Sequence, residues 1–152
     1  MSILNHFQQL TLTRDQHQAL EKLEAFFESD TQVFLLKGYA GTGKTTLIKG
    51  ISDYLKSLKI SQNILAPTGR AAMVISDKTK EEANTIHKAI YNYDEIDDKE
   101  EDSSFYIRFK LNVNENSSKH VTIVDEASMV SDIFNDDEFF IFGSGFLLKD
   151  LF

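Results

Sequence analysis

An apolar run that breaks into glycine-rich turn residues and then into a helical pattern leaves a chain little freedom. Residues 33–47 read Val33-Phe34-Leu35-Leu36-Lys37-Gly38-Tyr39-Ala40-Gly41-Thr42-Gly43-Lys44-Thr45-Thr46-Leu47. The four apolar residues at its start predict a strand buried on both faces. Gly-x-x-x-x-Gly-Lys-Thr follows directly and leads into a helix expected to run to about Leu58, the spelling of a phosphate-binding P-loop. Gly38, Gly41 and Gly43 let the backbone wrap with its amides pointing inward. The helix starting near Gly43 adds the positive end of its dipole. Lys44 reaches the β- and γ-phosphates, and the Thr45 hydroxyl is placed to ligate Mg²⁺. With Thr42 and Thr46 completing the loop, this stretch predicts a site for a nucleoside triphosphate and Mg²⁺.

Either side of the loop the pattern alternates helix and strand. Thr13 and Gln16 form a capping-box pair before Ala19, Leu20, Leu23, Phe26 and Phe27, which recur at helical spacing through about Glu28. The helix after the loop is expected to bury Leu47, Ile48, Ile51, Leu55 and Leu58. Ile60–Ala66 reads as a second strand, stopped by Pro67, the sole proline. Thr68 or Gly69 then starts a helix with small residues Ala71 and Ala72. A polar connector over 76–82 leads to a short helical piece at Thr85–Ile90. Phe105–Val113 alternates apolar and polar residues and predicts a half-buried strand outside the parallel core. Val121–Val124 is an apolar strand ending in Asp125 and Glu126, the form of a Walker B motif. There Asp125 holds Mg²⁺ and Glu126 polarises the attacking water. Taken alone, two carboxylates at a strand end also fit a solvated edge. Met129–Phe134 reads as a short helix, Phe139–Phe142 is an apolar run, and a last helical pattern starts near Ser144.

Composition narrows the class. The chain has 152 residues, enough for one domain with a real core. The net charge of −8 is local, because residues 94–102 hold seven of the 24 acids and one of the 16 bases. The remaining 17 acids and 15 bases leave the P-loop neighbourhood near neutral. No cysteine is present, which excludes disulfides and thiolate metal sites and fits a cytoplasmic protein. The four histidines are scattered, so no zinc site is expected. No membrane span or signal peptide is expected either.

Four segments, Leu12-Thr13-Arg14-Asp15-Gln16, Gly38–Thr45, Ala66-Pro67-Thr68-Gly69-Arg70-Ala71-Ala72 with Thr85-Ile86-His87, and Asp125-Glu126-Ala127-Ser128-Met129, occur in one order. In that order they resemble superfamily 1B DNA helicases of the RecD-like and Dda-like pattern, which move 5′ to 3′ on single-stranded DNA using ATP. The resemblance implies an α/β fold, a RecA-like parallel sheet flanked by helices with a small β insert. It covers nearly all of residues 1–152 as the first, N-terminal ATP-binding domain of such an enzyme.

The resemblance also assigns residues. It puts Gln16 on the adenine edge, compatible with its capping role, and Lys44 and Glu126 in catalysis. Thr68, the amides around Gly69, and His87 would touch DNA phosphates, although Thr68 also reads as a helix cap and His87 as a surface histidine. Residues 91–116 occupy the slot of a duplex-splitting β-hairpin, with 94–102 near its tip, or forming a solvated loop.

Nothing after Met129 matches the family's Gly-Asp-x-x-Gln motif, and the second RecA-like domain with its arginine fingers is absent. The expectation is therefore a fragment competent for Mg-ATP and weak in turnover alone. In the family, the strand after the Asp-Glu strand inserts between it and the P-loop strand. Here that strand would lie beyond Phe152, so residues 33–37 and 121–125 are expected to lack their shared neighbour. The exposed apolar surface would then favour self-association. Two other classes fit the P-loop: a small P-loop kinase, disfavoured by the lack of an arginine-rich lid, and a nucleotide-binding module without turnover.

Overall fold

Thr13 opens the first long helix as its spacing to Gln16 predicts. Its Oγ1 accepts from the Gln16 amide at 3.2 Å, and Gln16 Oε1 accepts from the Thr13 amide at 2.9 Å. That reciprocal pair starts α1, Arg14–Phe27. The computed structural model describes residues 2–98, 105–112, 119–135, 137 and 139–152. Before α1, a 3-10 turn over Ile3–Phe7 is tied to it by Glu24, whose carboxylate accepts from Ser2 Oγ and the Ile3 amide. The P-loop helix α2 spans Lys44–Ser57. At its midpoint Gly50 is required by packing, since a Cβ there would come within 2.3 Å of the Phe7 ring.

The chain then builds a parallel sheet. Strand β1 (Ser61–Ala66) leads into α3 (Gly69–Thr79), β2 (Ala83–Thr85) and α4 (Ile86–Ile90), and β5 (His120–Val124) enters later. Their order is β2-β1-β5, with Ala66 opposite Thr85 and Leu65 opposite Val124. Ile3, Phe7, Leu20, Leu23, Leu47, Ile51, Tyr54 and Leu55 form one buried cluster, joined by Phe34, Leu36, Val121 and Ile123. A second cluster, Ile48, Ile64, Ala66, Ala72 and Ile75, seats α2 and α3 against the strands. Each fully buried aliphatic chain contributes roughly 1.5–3 kcal/mol. Lys49 and Lys56 both reach the Glu81 carboxylate, so α2 is also pinned to the turn after α3.

A smaller sheet stands beside the parallel one. Strand β3 (Tyr91–Asp98) pairs antiparallel with β4 (Phe105–Leu111), and β6 (Phe140–Phe142) joins β4 in parallel. The hairpin expected over 91–116 therefore has both arms in place, with a bulge between Tyr93 and Glu95. The acidic residues Asp94–Asp98 lie in the first arm rather than in a loop, while residues 99–102 fall outside the described residues, as do Val113 and the expected turn over 114–118. Helix α5 (Leu147–Leu151) is fastened to this sheet by Asp150, which accepts from the Tyr91 hydroxyl at 2.6 Å and the Ser144 amide at 2.9 Å.

Several expectations are corrected. Val33–Lys37 is not a strand buried on both faces: it pairs with no strand among the described residues. Phe34 and Leu36 pack on the core, while Val33 and Leu35 are 53% and 63% exposed. A strand is stable only with a ladder partner, and none pairs with it among the described residues. One expectation is met: β5 pairs only with β1 among the described residues, so it and residues 33–37 share no neighbouring strand there, and 139–142 joins β4. Helix α3 runs on through Thr79 into the segment read as a connector. Residues 129–134 form no helix beyond a 3-10 turn at Ala127–Met129. Leu58 is exposed at the end of α2, where the helix stops one residue short of it.

Candidate nucleotide site

The three parallel strands end at one edge, and the candidate residues hang from it. Pro67 and Thr68 follow β1, Asp125 and Glu126 follow β5, and His87 follows β2 and the start of α4. Ligands of open α/β sheets bind at this carboxyl edge.

Among the helices, α2 starts differently from those before and after it. Threonines cap α1, α3 and α4 through Thr13, Thr68 and Thr85. The N-cap of α2 is Gly43, left-handed at φ 82°, with no side chain on the first amides. The open N–H groups of Lys44, Thr45 and Thr46 are therefore the donors a phosphate needs. Gly41, at φ 79°, makes the preceding turn, a conformation that strains any residue with a Cβ.

The loop is closed by its own side chains. Lys44 Nζ donates to the Gly38 carbonyl at 2.7 Å and to the Tyr39 carbonyl at 2.9 Å. The Tyr39 carbonyl also accepts from the Thr42 hydroxyl at 2.8 Å. Gln16 Nε2 donates to the Thr42 carbonyl at 2.9 Å, joining α1 to the loop. Thr45 Oγ1 donates to Asp125 Oδ2 at 2.9 Å, and the other Asp125 oxygen accepts from the Glu126 amide at 3.0 Å. Asp125 is only 9% exposed, and its own amide donates to the Leu65 carbonyl, extending the β1–β5 ladder by one bond. Glu126 is exposed and left-handed at φ 54°, unusual for a residue with a side chain.

The structure thus brings together Gln16, the loop from Gly38 to Thr46, and Asp125, with Glu126 next in the chain. Thr68 and Gly69 stand apart at the start of α3, where the Thr68 hydroxyl accepts from the Ala71 amide and nothing crowds Gly69. His87 is half-buried, with its ring 5.2 Å from Phe142 and 5.7 Å from Tyr91. Burial lowers its pKa, so at pH 7 it is a neutral ring in an aromatic cluster. The Gln16–Thr42 link escapes sequence reading, because 26 residues separate partners that no pattern connects.

A threonine hydroxyl beside a buried carboxylate is a hard-oxygen pair that suits Mg²⁺. Among the described residues no group of three His, Cys, Asp or Glu could hold an ion. The pair therefore fits a cation that keeps waters and phosphate oxygens in its shell. No helix among the described residues is long and apolar enough to cross a membrane.

Residues 11–134 match the AAA domain family. The chain is 41% identical over 106 residues to the uncharacterized protein MJ1519 of Methanocaldococcus jannaschii, covering 65% of this chain and 9% of that protein. It is 29% identical over 121 residues to the ATP-dependent RecD2 DNA helicase of Deinococcus radiodurans, covering 80% of this chain and 14% of the helicase. With the uncharacterized protein R530 of Acanthamoeba polyphaga mimivirus it shares 28% identity over 134 residues, 78% of this chain and 27% of that protein. The chain therefore spans only a small part of the length of the curated relatives it matches. By its match over residues 11–134, the chain belongs to the AAA domain family, as a P-loop domain of α/β fold.

Proposed function

We propose that this chain is the Mg-ATP-binding N-terminal motor domain of an ATP-dependent 5′–3′ DNA helicase, with weak hydrolysis on its own. The observation that carries the proposal is the meeting of Lys44, Thr45 and Asp125 beneath an uncapped helix N-terminus. The open amides of α2 and the Lys44 ammonium take the β- and γ-phosphates. Thr45 and Asp125 would hold Mg²⁺, which when bound neutralises charge on the phosphate oxygens. Glu126 follows Asp125 on an exposed turn and orients the attacking water, accepting its proton at a carboxylate oxygen.

Single-stranded DNA would run along the same sheet edge. Amides near Gly69 and Arg70 meet its phosphates, while Thr68, engaged in its own cap, and His87, held neutral, add weaker hydrogen bonds. One such wall binds DNA weakly and with strong salt dependence. A second RecA-like domain completes the groove and supplies arginines to the transition state, each worth roughly 10³-fold or more in rate. Exposed Val33 and Leu35 favour self-association of the isolated chain, and a cytoplasmic location is part of the same reading.

Phosphate release tests the proposal. With a second RecA-like domain supplied, single-stranded DNA is expected to stimulate hydrolysis of ATP to free phosphate. Transfer of the phosphate to a small-molecule acceptor would establish the kinase class instead. Nucleotide binding without phosphate release under any condition would leave a binding module.

A further inference from the structure

At the edge of the parallel sheet opposite the nucleotide site, where β1 and β5 begin, a pocket of about 480 Å³ opens between the ends of α1 and α2. Phe27 and Glu28 close α1, Leu58 follows α2, and Ile60 and Lys119 stand just ahead of the two strands. Both helices end here with their carbonyls, which adds partial negative charge. Phe27 and Tyr54 supply aromatic walls, with ring centroids 6.0 Å apart. Leu58 and Ile60 add aliphatic surface.

The polar groups set the charge of what fits. Tyr54 lines the pocket and is only 5% exposed, yet its hydroxyl makes no hydrogen bond to any described residue. Burial raises its pKa, and Glu24 and Glu28 raise it further, so the hydroxyl stays neutral and able to accept. Glu24 accepts from Ser2 Oγ and the Ile3 amide, but neither it nor Glu28 has a cationic partner among the described residues. Lys119, exposed on the rim, is the one cation among the lining residues. Two carboxylates and two helix ends against one lysine leave the pocket electronegative.

We infer that this pocket takes an alkyl guanidinium group, its plane against the Phe27 and Tyr54 rings and its N–H fork toward Glu28 and the Tyr54 oxygen. A guanidinium is weakly hydrated, stacks on aromatic rings and spreads its donors in one plane. An ammonium instead concentrates its charge on a strongly hydrated point. The methylenes that carry the guanidinium cover Leu58 and Ile60. The group comes either from a small free guanidine or from an arginine side chain of a partner protein. The P-loop lies at the other end of α2, so the site stands whether or not a nucleotide binds there.

Amide NMR titrations of the unmodified chain with butylguanidinium, butylammonium, butylurea and the peptide acetyl-Gly-Arg-Gly-amide read the charge and its source. Butylurea keeps the shape of the guanidinium head and removes its charge. Saturable shifts at Phe27, Glu28, Leu58 and Ile60 are expected with butylguanidinium, more weakly with butylammonium and not with butylurea, and affinity should fall as salt rises. Tighter binding of the peptide than of butylguanidinium would mark a protein side chain as the source, and otherwise a small free guanidine. Glu28→Gln, at an exposed helix end, should weaken butylguanidinium binding about two- to fivefold, and Lys119→Gln should strengthen it about twofold. Tyr54→Phe keeps the ring and should cost about fivefold through the lost hydroxyl. Equal binding of butylurea or butylammonium, or unchanged affinity in Glu28→Gln, would overturn the inference. So would a guanidinium that leaves these amides unmoved.

Discussion

Asp125 and the P-loop face each other across the candidate site, yet they are held by different means. Asp125 ends a strand whose five residues from His120 to Val124 pair with β1, and its own amide continues that ladder to Leu65. The P-loop ends a segment, Val33–Lys37, that makes no ladder among the described residues. Its support comes from Phe34 and Leu36 on the core, from the helix that follows, and from side-chain ties at Gln16 and Thr45. A ladder fixes the Asp125 carboxylate through backbone bonds that most substitutions leave alone. A loop held by side chains can be loosened one residue at a time.

The largest expected contrast is in stability. Ile64, buried in β1 opposite Ile123, should cost about 2–5 kcal/mol when changed to alanine. Leu35→Ala, in the unpaired segment, should change stability by less than about 0.5 kcal/mol. Urea unfolding of the two variants checks this, and comparable losses would mean that residues 33–37 are as firmly held as the sheet.

Next in size are the two carboxylates. Asp125→Asn removes the charge facing Thr45 and should weaken nucleotide binding by about tenfold or more in Mg²⁺ but little in its absence. Glu126→Gln should retain affinity and lose whatever slow hydrolysis exists, because an amide cannot accept the proton of water. Like behaviour of the two variants would break the division of labour between them.

A smaller effect of opposite sign is expected from Glu126→Gly. The left-handed backbone at Glu126 is unfavourable for a residue with a Cβ, so glycine should raise stability by roughly 1 kcal/mol while removing the carboxylate. A melting temperature that falls in this variant would show that the Glu126 side chain supports the turn.

Smallest is the pH dependence of the second sheet. His87 has its pKa lowered by burial, so its contribution is present above its unfolded value and fades as pH falls below about 6.5. Burial raises the pKa of Asp150, but bonds from Ser144 and Tyr91 outweigh it and leave the group low, so its contribution is lost only below about pH 4. Two separate losses on acidification are expected in unfolding curves of the native protein. His87→Phe should remove the upper one and Asp150→Asn the lower.

How much of this was legible in the sequence follows the same division. Local chemistry reads well: the Thr13–Gln16 box, the glycines of the loop, Thr68 as a cap and the apolar run into Asp125 all stand where their spacing puts them. Pairing does not read from one segment. Val33–Leu36 has the composition of a buried strand, but a strand also needs neighbours, and those are set by the whole topology. Ala83–Thr85 has no apolar run, yet it becomes β2 because it lies along β1. Phe140–Phe142 reads as apolar without showing that its partner is Phe109 and its neighbours rather than β5. Met129–Phe134 looks helical by composition, but Met129, Ile133 and Phe134 are largely exposed, so the segment buries no continuous apolar face, and Phe134 instead meets the Phe146 ring.

The central claim is that Lys44 and the amides of α2 hold a triphosphate, and calorimetry of Mg-ATP binding to the unmodified chain and to Lys44→Ala tests it most directly. Among the described residues Lys44 Nζ bonds only loop carbonyls, so its removal should leave the thermal unfolding of the domain nearly unchanged. The account predicts saturable binding by the unmodified chain and no measurable binding by an equally folded Lys44→Ala. Unchanged affinity in the variant would contradict it.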